Sequence, residues 1–270
     1  MTREASIIEL AAWLQTPPGR YLLAWEQQQI DAAVADLFGF HALQLGLPEL
    51  TALRANRMPH RWLALNGHDG GRSVADAGED GEGPAAVALH CEFDALPFEA
   101  ASLDLVVLPH ALELARDPHQ TLREVERVLR PEGRVVILGL NPASAWGLRQ
   151  NLGRLLPGHE RRLYLPRAGD FIGYWRLRDW LRLLSFDVEG ARFGAYCPPL
   201  RSAQWLARWS WIEGIGQRWW PVLGAVYFIV AVKRVQGMRL IGLARHSKAS
   251  AAKAAPAVAA LHPHHHREQE

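Results

Sequence analysis

The chain has 270 residues with 30 Lys and Arg against 28 Asp and Glu, long enough for one α/β domain with a large core plus appendages, and too evenly charged for an obvious polyanion binder, so nucleic acid is not an expected partner. Cys91 and Cys197 stand in apolar contexts without metal-type spacing, which disfavours a paired-cysteine zinc site and predicts buried, reduced thiols in a cytoplasmic protein. No stretch reaches the ~20 apolar residues that span a bilayer, and the apolar run of residues 7–14 is too short and interrupted for a signal peptide.

Residues 1–38 carry two helical patterns separated by Thr16-Pro17-Pro18-Gly19, which reads as a break. Ile30, Ala33, Val34, Leu37 and Phe38 give the second pattern an apolar stripe for packing on a sheet. Residues 42–45 read as a first strand and residues 61–65 as a second; the Gly/Asp/Glu-rich run 66–84 has too little apolar content for a long helix and reads as a flexible loop or short turn. Residues 91–140 then form a strand-loop-strand-helix-turn-strand unit. Within it, Leu103-Asp104-Leu105-Val106-Val107-Leu108 is an apolar run without alternation, as in a strand covered on both faces. A helix follows over residues 118–129, with Leu122, Val125, Val128 and Leu129 on one face. Arg130-Pro131-Glu132-Gly133 ends it, and residues 134–138 read as the next buried strand, completing a βαβ crossover.

Beyond Leu140 an irregular, arginine-rich segment extends to residue 167, with a short helix over residues 146–155. A helix at residues 178–184 precedes a strand at 186–193; residues 222–232 read as a last core strand entering a hairpin, ended by Lys233-Arg234. Residues 205–220 hold five of the eleven tryptophans, open to three readings: core packing of a helix, a lid over an apolar substrate, or a membrane-surface contact. From Gln236 the chain is Ala, Lys, Pro and His without periodicity, which predicts a disordered tail in which His264, His265 and His266 reflect composition rather than a metal site. The expected organisation is one domain over residues 1–235, with amino-terminal helices 1–38 and a variable insert 141–174, followed by the tail 236–270.

The loop Asp94-Ala95-Leu96-Pro97-Phe98, the strand Leu103-Asp104-Leu105-Val106-Val107, the turn Ala111-Leu112-Glu113, and the run from Glu124 to Gly133 occur in order at fixed separations. Together they resemble the class I S-adenosylmethionine-dependent methyltransferases, in the methyltransferase type 11-like group that includes quinone-biosynthesis C-methyltransferases. The resemblance implies a doubly wound, mostly parallel, seven-stranded Rossmann-like α/β fold, S-adenosylmethionine as cofactor, and no metal. It covers residues 36–140 well.

In that family an acidic residue and three alternate glycines follow the first strand. Here the segment is Gln44-Leu45-Gly46-Leu47-Pro48-Glu49-Leu50. Only Gly46 matches; Gln44 replaces the carboxylate, and Pro48 and Leu50 replace the other glycines, so the family's turn conformation is not available. The resemblance assigns cofactor contacts to Gln44, Gly46 and Leu47 at this turn, to Asn66 at the ribose position, to Glu92 and Phe93 at the adenine end, and to Pro109 at the end of the fourth strand. His110, beside Pro109, is the candidate catalytic base, its alternative being a structural hydrogen bond; Glu92 and Asp94 have the alternative of solvated loop carboxylates.

Methyl transfer requires alignment and exclusion of water more than any particular side chain. The expected acceptor is a small molecule, anionic if the arginines of the insert (Arg149, Arg154, Arg161, Arg162, Arg167) contact it, or apolar if the tryptophans do; a solvated basic surface is the other reading of those arginines. A nucleophile elbow, a phosphate loop and a dinucleotide fingerprint are absent. The alternative function is a methyltransferase-like binding or scaffold protein without catalysis.

Overall fold

Seven strands, β1 (His41–Leu45), β2 (His60–Leu65), β3 (Val87–His90), β4 (Leu103–Pro109), β5 (Leu129–Leu140), β6 (Phe186–Gly194) and β7 (Val226–Lys233), form a single sheet in the computed structural model. The model describes residues 3–66, 87–155, 164–165, 171–209 and 211–234. The sheet order is β3-β2-β1-β4-β5-β7-β6, with parallel neighbours except where β7 runs antiparallel to β5 and β6. Strand order reverses between β1 and β4, and open α/β sheets bind ligands beyond the carboxyl ends of the strands at such a reversal.

Helices cover both faces. On one lie α1 (Arg3–Leu14) and α2 (Pro17–Val34), whose Leu14, Leu22, Ile30 and Val34 pack with Leu105, Val107, Val136, Leu138 and Phe228 of the sheet. On the other lie α4 (Pro118–Val128) and α6 (Tyr174–Leu183), whose Leu122, Val125, Leu177 and Leu181 pack with Val106, Leu108, Val135 and Ile137. The alternate residues of β4 and β5 thus serve two cores, which is why these strands are apolar throughout.

Thr16-Pro17-Pro18-Gly19 does separate two helices, and it also starts the second. Thr16 Oγ1 accepts from Gly19 N, and the prolines occupy the first turn, where no N–H is required. Gly19 lets the two helices close: a Cβ there would stand 2.4 Å from Leu14 Cα. Phe38 lies off the buried stripe and is largely exposed, because α2 ends at Val34.

The connection between β1 and β2, residues 46–59, contains turns and no helix. The connection expected to lack one, residues 66–84, lies outside the described residues beyond Asn66, as do the tail 236–270, Arg161, Arg162 and Arg167 of the insert, and His264, His265 and His266. Helix α4 is capped by Asp117, whose Oδ1 accepts from His119 N and Gln120 N, with Pro118 in the first turn. Strand β5 begins earlier than expected: Leu129 already pairs with Leu103, and after a shift of register at Arg130–Gly133 the pairing resumes with Arg134 opposite Leu105. β7 starts later than expected, at Val226, because residues 221–223 form one 3-10 turn. The remaining helices are α3 (Ala111–Leu114), α5 (Ala145–Leu155), α7 (Ala203–Arg208) and α8 (Ile212–Trp219).

Candidate cofactor crevice

The turn after β1 is organised by one side chain. Gln44 is buried; its Nε2 donates to the carbonyls of Gly46 (3.0 Å), Leu47 (2.9 Å) and Leu50 (2.7 Å), and its Oε1 accepts from Ala52 N (3.0 Å). A carboxylate could not donate these bonds, which accounts for the amide at this position. Gly46 and Leu47 both take positive φ, 77° and 46°, and Leu47 and Leu50 turn into the core beside α2. The amide of Gln44 and the side chain of Leu50 are therefore used to build the turn. The segment is also fastened to α2: Gln27 Nε2 donates to Thr51 O and its Oε1 accepts from Thr51 N, while Asn56 Nδ2 donates to Val34 O and Leu37 O.

The ends of β2 and β3 adjoin this turn, with Gly46 N donating to Ala64 O and Cys91 N to Leu65 O. Asn66 closes β2. It is 2% exposed, and neither its Oδ1 nor its Nδ2 has a hydrogen-bond partner. Orphaned buried amides carry a desolvation cost of ~1–3 kcal/mol each. Phe93 is buried against Leu43, Leu45 and Leu96, with its ring 3.5 Å from where a Cβ on Gly46 would stand. Glu92 is half-buried beside Cys91; burial first, and then the charge of Glu92, push that thiol up to about 11. The following loop is held by α4: Arg127 donates to Leu96 O and Phe98 O and pairs with Glu124, which accepts from Leu96 N.

Pro109 ends β4, and His110 follows with φ 54°, fully enclosed. Its Nδ1 is 2.9 Å from Glu113 Oε2 and its Nε2 is 2.9 Å from Glu26 Oε1 of α2. Burial alone would lower its pKa, but the charges of Glu26 and Glu113 outweigh burial and hold it up at about 10. Both ring nitrogens are thus engaged by carboxylates. Glu113 also accepts from Leu140 N, so the cluster ties α2, the end of β4 and the end of β5 together. Glu26 escaped the sequence reading, although it sits in the buried stripe Leu22, Glu26, Ile30, where a lone carboxylate calls for a cationic partner.

The geometry thus places Gln44, Gly46, Leu47, Asn66, Glu92 and Phe93 along the carboxyl ends of β1 to β3, and Pro109 and His110 at the adjacent end of β4. Comparison with known proteins bears on this crevice. A family model described as a methyltransferase domain matches residues 49–137. The uncharacterized protein YafS of Escherichia coli (strain K12) is 30% identical over 190 residues, 70% of each chain. Among solved structures, a SAM-dependent methyltransferase from Thermotoga maritima is similar with a TM-score of 0.56 at 15% identity, covering 86% of this chain and 97% of that one. A chain from the complex between the Trm112 methyltransferase activator and a methyltransferase of Haloferax volcanii is similar with a TM-score of 0.53 at 18% identity, covering 77% of this chain and 88% of that one.

Proposed function

The chain belongs to the class I S-adenosylmethionine-dependent methyltransferase superfamily, and from that premise we propose that it binds S-adenosylmethionine chiefly through the adenosine half and methylates a small acceptor. The observation that carries this reading is Asn66, a buried amide with both polar atoms unpartnered at the end of β2. In the superfamily that position meets the ribose, whose hydroxyls would both donate to and accept from an amide. Phe93 supplies an apolar wall and Glu92 an acceptor for the adenine end. The residues of this half fit the cofactor.

The amino-acid half is served differently. With Gln44 engaged by the carbonyls of its own turn, the negative charge that the family places at the end of β1 is absent there. It lies instead at the end of β4, where Glu26 and Glu113 flank a single imidazolium and Glu26 Oε2 is buried without a partner. An excess of buried negative charge favours a cationic methyl donor nearby. When bound, S-adenosylmethionine supplies an electrophilic methyl group; the chain supplies enclosure and orientation. His110 acts here as the structural cation that fixes the crevice wall, so the acceptor must be nucleophilic without help from this ring.

One observation favours a second reading, a binding protein without catalysis: Leu50 fills core volume, and Gln44 completes the β1 turn through the chain's own carbonyls. Calorimetric titration separates the two. S-adenosylhomocysteine should bind the wild-type chain, and Asn66→Leu and Glu92→Ala should each weaken binding by ~1–3 kcal/mol, about fivefold to 150-fold. Absence of binding heat from both S-adenosylhomocysteine and S-adenosylmethionine would leave the non-catalytic reading standing.

A further inference from the structure

Tryptophans are ordinarily buried, and the segment between β6 and β7 leaves several outside. Trp205, Trp211, Trp219 and Trp220 are 53%, 58%, 70% and 56% exposed, and Ile215 and Leu223 are exposed among them. Core packing, one reading of this cluster, does not describe it. The reason is length and composition: α7 buries only Leu206 and α8 only Gly216, since helices of six and eight residues present too little apolar face.

The exposure is not looseness, because the segment is fastened from behind. Trp146 Nε1 donates to Cys197 O (2.7 Å), Tyr196 N to Glu213 Oε1 (2.8 Å), Tyr196 Oη to Pro221 O (2.7 Å), and Asn141 Nδ2 to Val222 O (2.7 Å) and Gly224 O (2.9 Å). The ring of Tyr196 lies on Gly216, where a Cβ would stand 2.4 Å from it. The surface is held rigidly with its aromatic side outward, and single-chain proteins rarely tolerate such a patch without a use for it.

Charge indicates what covers it. Residues 195–225 contain Arg201, Arg208 and Arg218 and a single carboxylate, Glu213. Glu213 is turned inward onto Tyr196 N, and burial raises its pKa. Arg208 lies over the Trp205 ring, 5.9 Å from its centre. The exposed charge of α7 and α8 is therefore that of Arg208 and Arg218. Tryptophan interleaved with arginine suits the boundary between lipid headgroups and acyl chains, where the indole is buried while its N–H stays wet and the guanidinium meets lipid phosphate. Tryptophan and arginine also anchor protein partners, and the vesicle experiment separates that occupant from the bilayer. No described helix is long and apolar enough to cross a membrane, so contact of this kind lies in the interface plane.

We propose that residues 203–223 form a peripheral docking surface for an anionic lipid bilayer. Because β6 leaves the sheet and β7 enters it at the carboxyl edge, docking presents the crevice side of the sheet to the bilayer. The proposal is independent of cofactor binding.

Sedimentation of the full-length protein with sucrose-loaded vesicles tests it, using phosphatidylcholine alone and an equimolar mixture with phosphatidylglycerol. The protein should pellet with the mixed vesicles, and less so at high salt. The double substitution Trp219→Ser with Trp220→Ser should lower the partition coefficient by roughly tenfold or more. A protein that stays in the supernatant with both compositions, or a variant that pellets like wild type, overturns the proposal. So does a dimer that the same substitutions dissociate while vesicles go unbound, since the face then belongs to a second copy. Should the variant fail to fold, brominated phosphatidylglycerol decides on the wild-type chain: quenched tryptophan emission supports docking, and unquenched emission overturns it.

Discussion

The turn after β1 and the end of β2 lie side by side and stand in opposite states. At the turn, one buried amide makes four hydrogen bonds and the apolar side chains reach into the core. At the end of β2, another buried amide makes none. In the first place the chain has satisfied itself; in the second it has left the satisfaction to something else. The contrast teaches that a family motif can be lost at one turn by being rebuilt as structure, while the neighbouring strand end keeps a buried amide unsatisfied.

The largest effect should come from breaking the satisfied side. Gln44→Leu strands the Ala52 N–H and three carbonyls, and Gln44→Glu sets a carboxylate oxygen against those carbonyls; each should destabilise the fold by ~3–5 kcal/mol in chemical denaturation. A Gln44→Glu variant as stable as wild type would show that the amide is not the organiser of the turn.

The next effect concerns the wall at β4. The folded pKa of His110, about 10, lies above its ordinary 6.5, so the stabilisation it lends is complete below pH ~6.5 and declines as pH rises toward 10. Between pH 6.5 and 9 the loss should be roughly 3 kcal/mol, and His110→Gln should flatten the dependence in that window. Above pH 9 the Cys91 and Cys197 thiols, raised to about 11 by burial, add a decline of their own, so the comparison belongs below it.

A smaller effect of opposite sign sharpens the contrast. Without ligand, Asn66→Leu removes a buried polar group that has no partner and should leave the unfolding midpoint unchanged or raise the stability by about 1 kcal/mol. A substantial loss would mean that the amide already has a partner. The smallest is Arg54→Ala: the exposed pair with Asp31, 2.5 Å at its shortest, fastens the rebuilt turn to α2 from outside and should contribute less than ~1 kcal/mol.

Legibility in the sequence followed the range of the forces. The unit from Leu103 to Leu140 could be read because its signals are local: an apolar run, Asp117 before Pro118, and an apolar stripe on the helix. The sheet order came from the resemblance those motifs carried rather than from any pairing signal. Gln44 was noticed for the charge it lacks, and its actual work was hidden, because its partners are main-chain carbonyls whose positions depend on the turn itself. The contact between Glu26 and His110 joins residues 84 apart in the chain; the only hint was a carboxylate on an apolar stripe. The tryptophans of residues 205–220 stay open in the sequence between core packing, a lid and a membrane-surface contact, because nothing local says that their helices are too short to bury them.

The docking of α1 and α2 has a consequence in time. Trp13 bonds to the carbonyl of Tyr164, and Leu22, Trp25 and Val34 share a core with Val226 and Phe228, so these two helices pack against segments made after most of the sheet. At the usual ~5–20 residues per second, the part of the apolar face of α2 that meets β7 waits roughly ten to forty seconds for it, after β4 and β5 have covered the rest. Throughout that interval Leu22, Trp25 and Val34 lack part of their final cover, and the yield depends on what shelters them until β7 arrives.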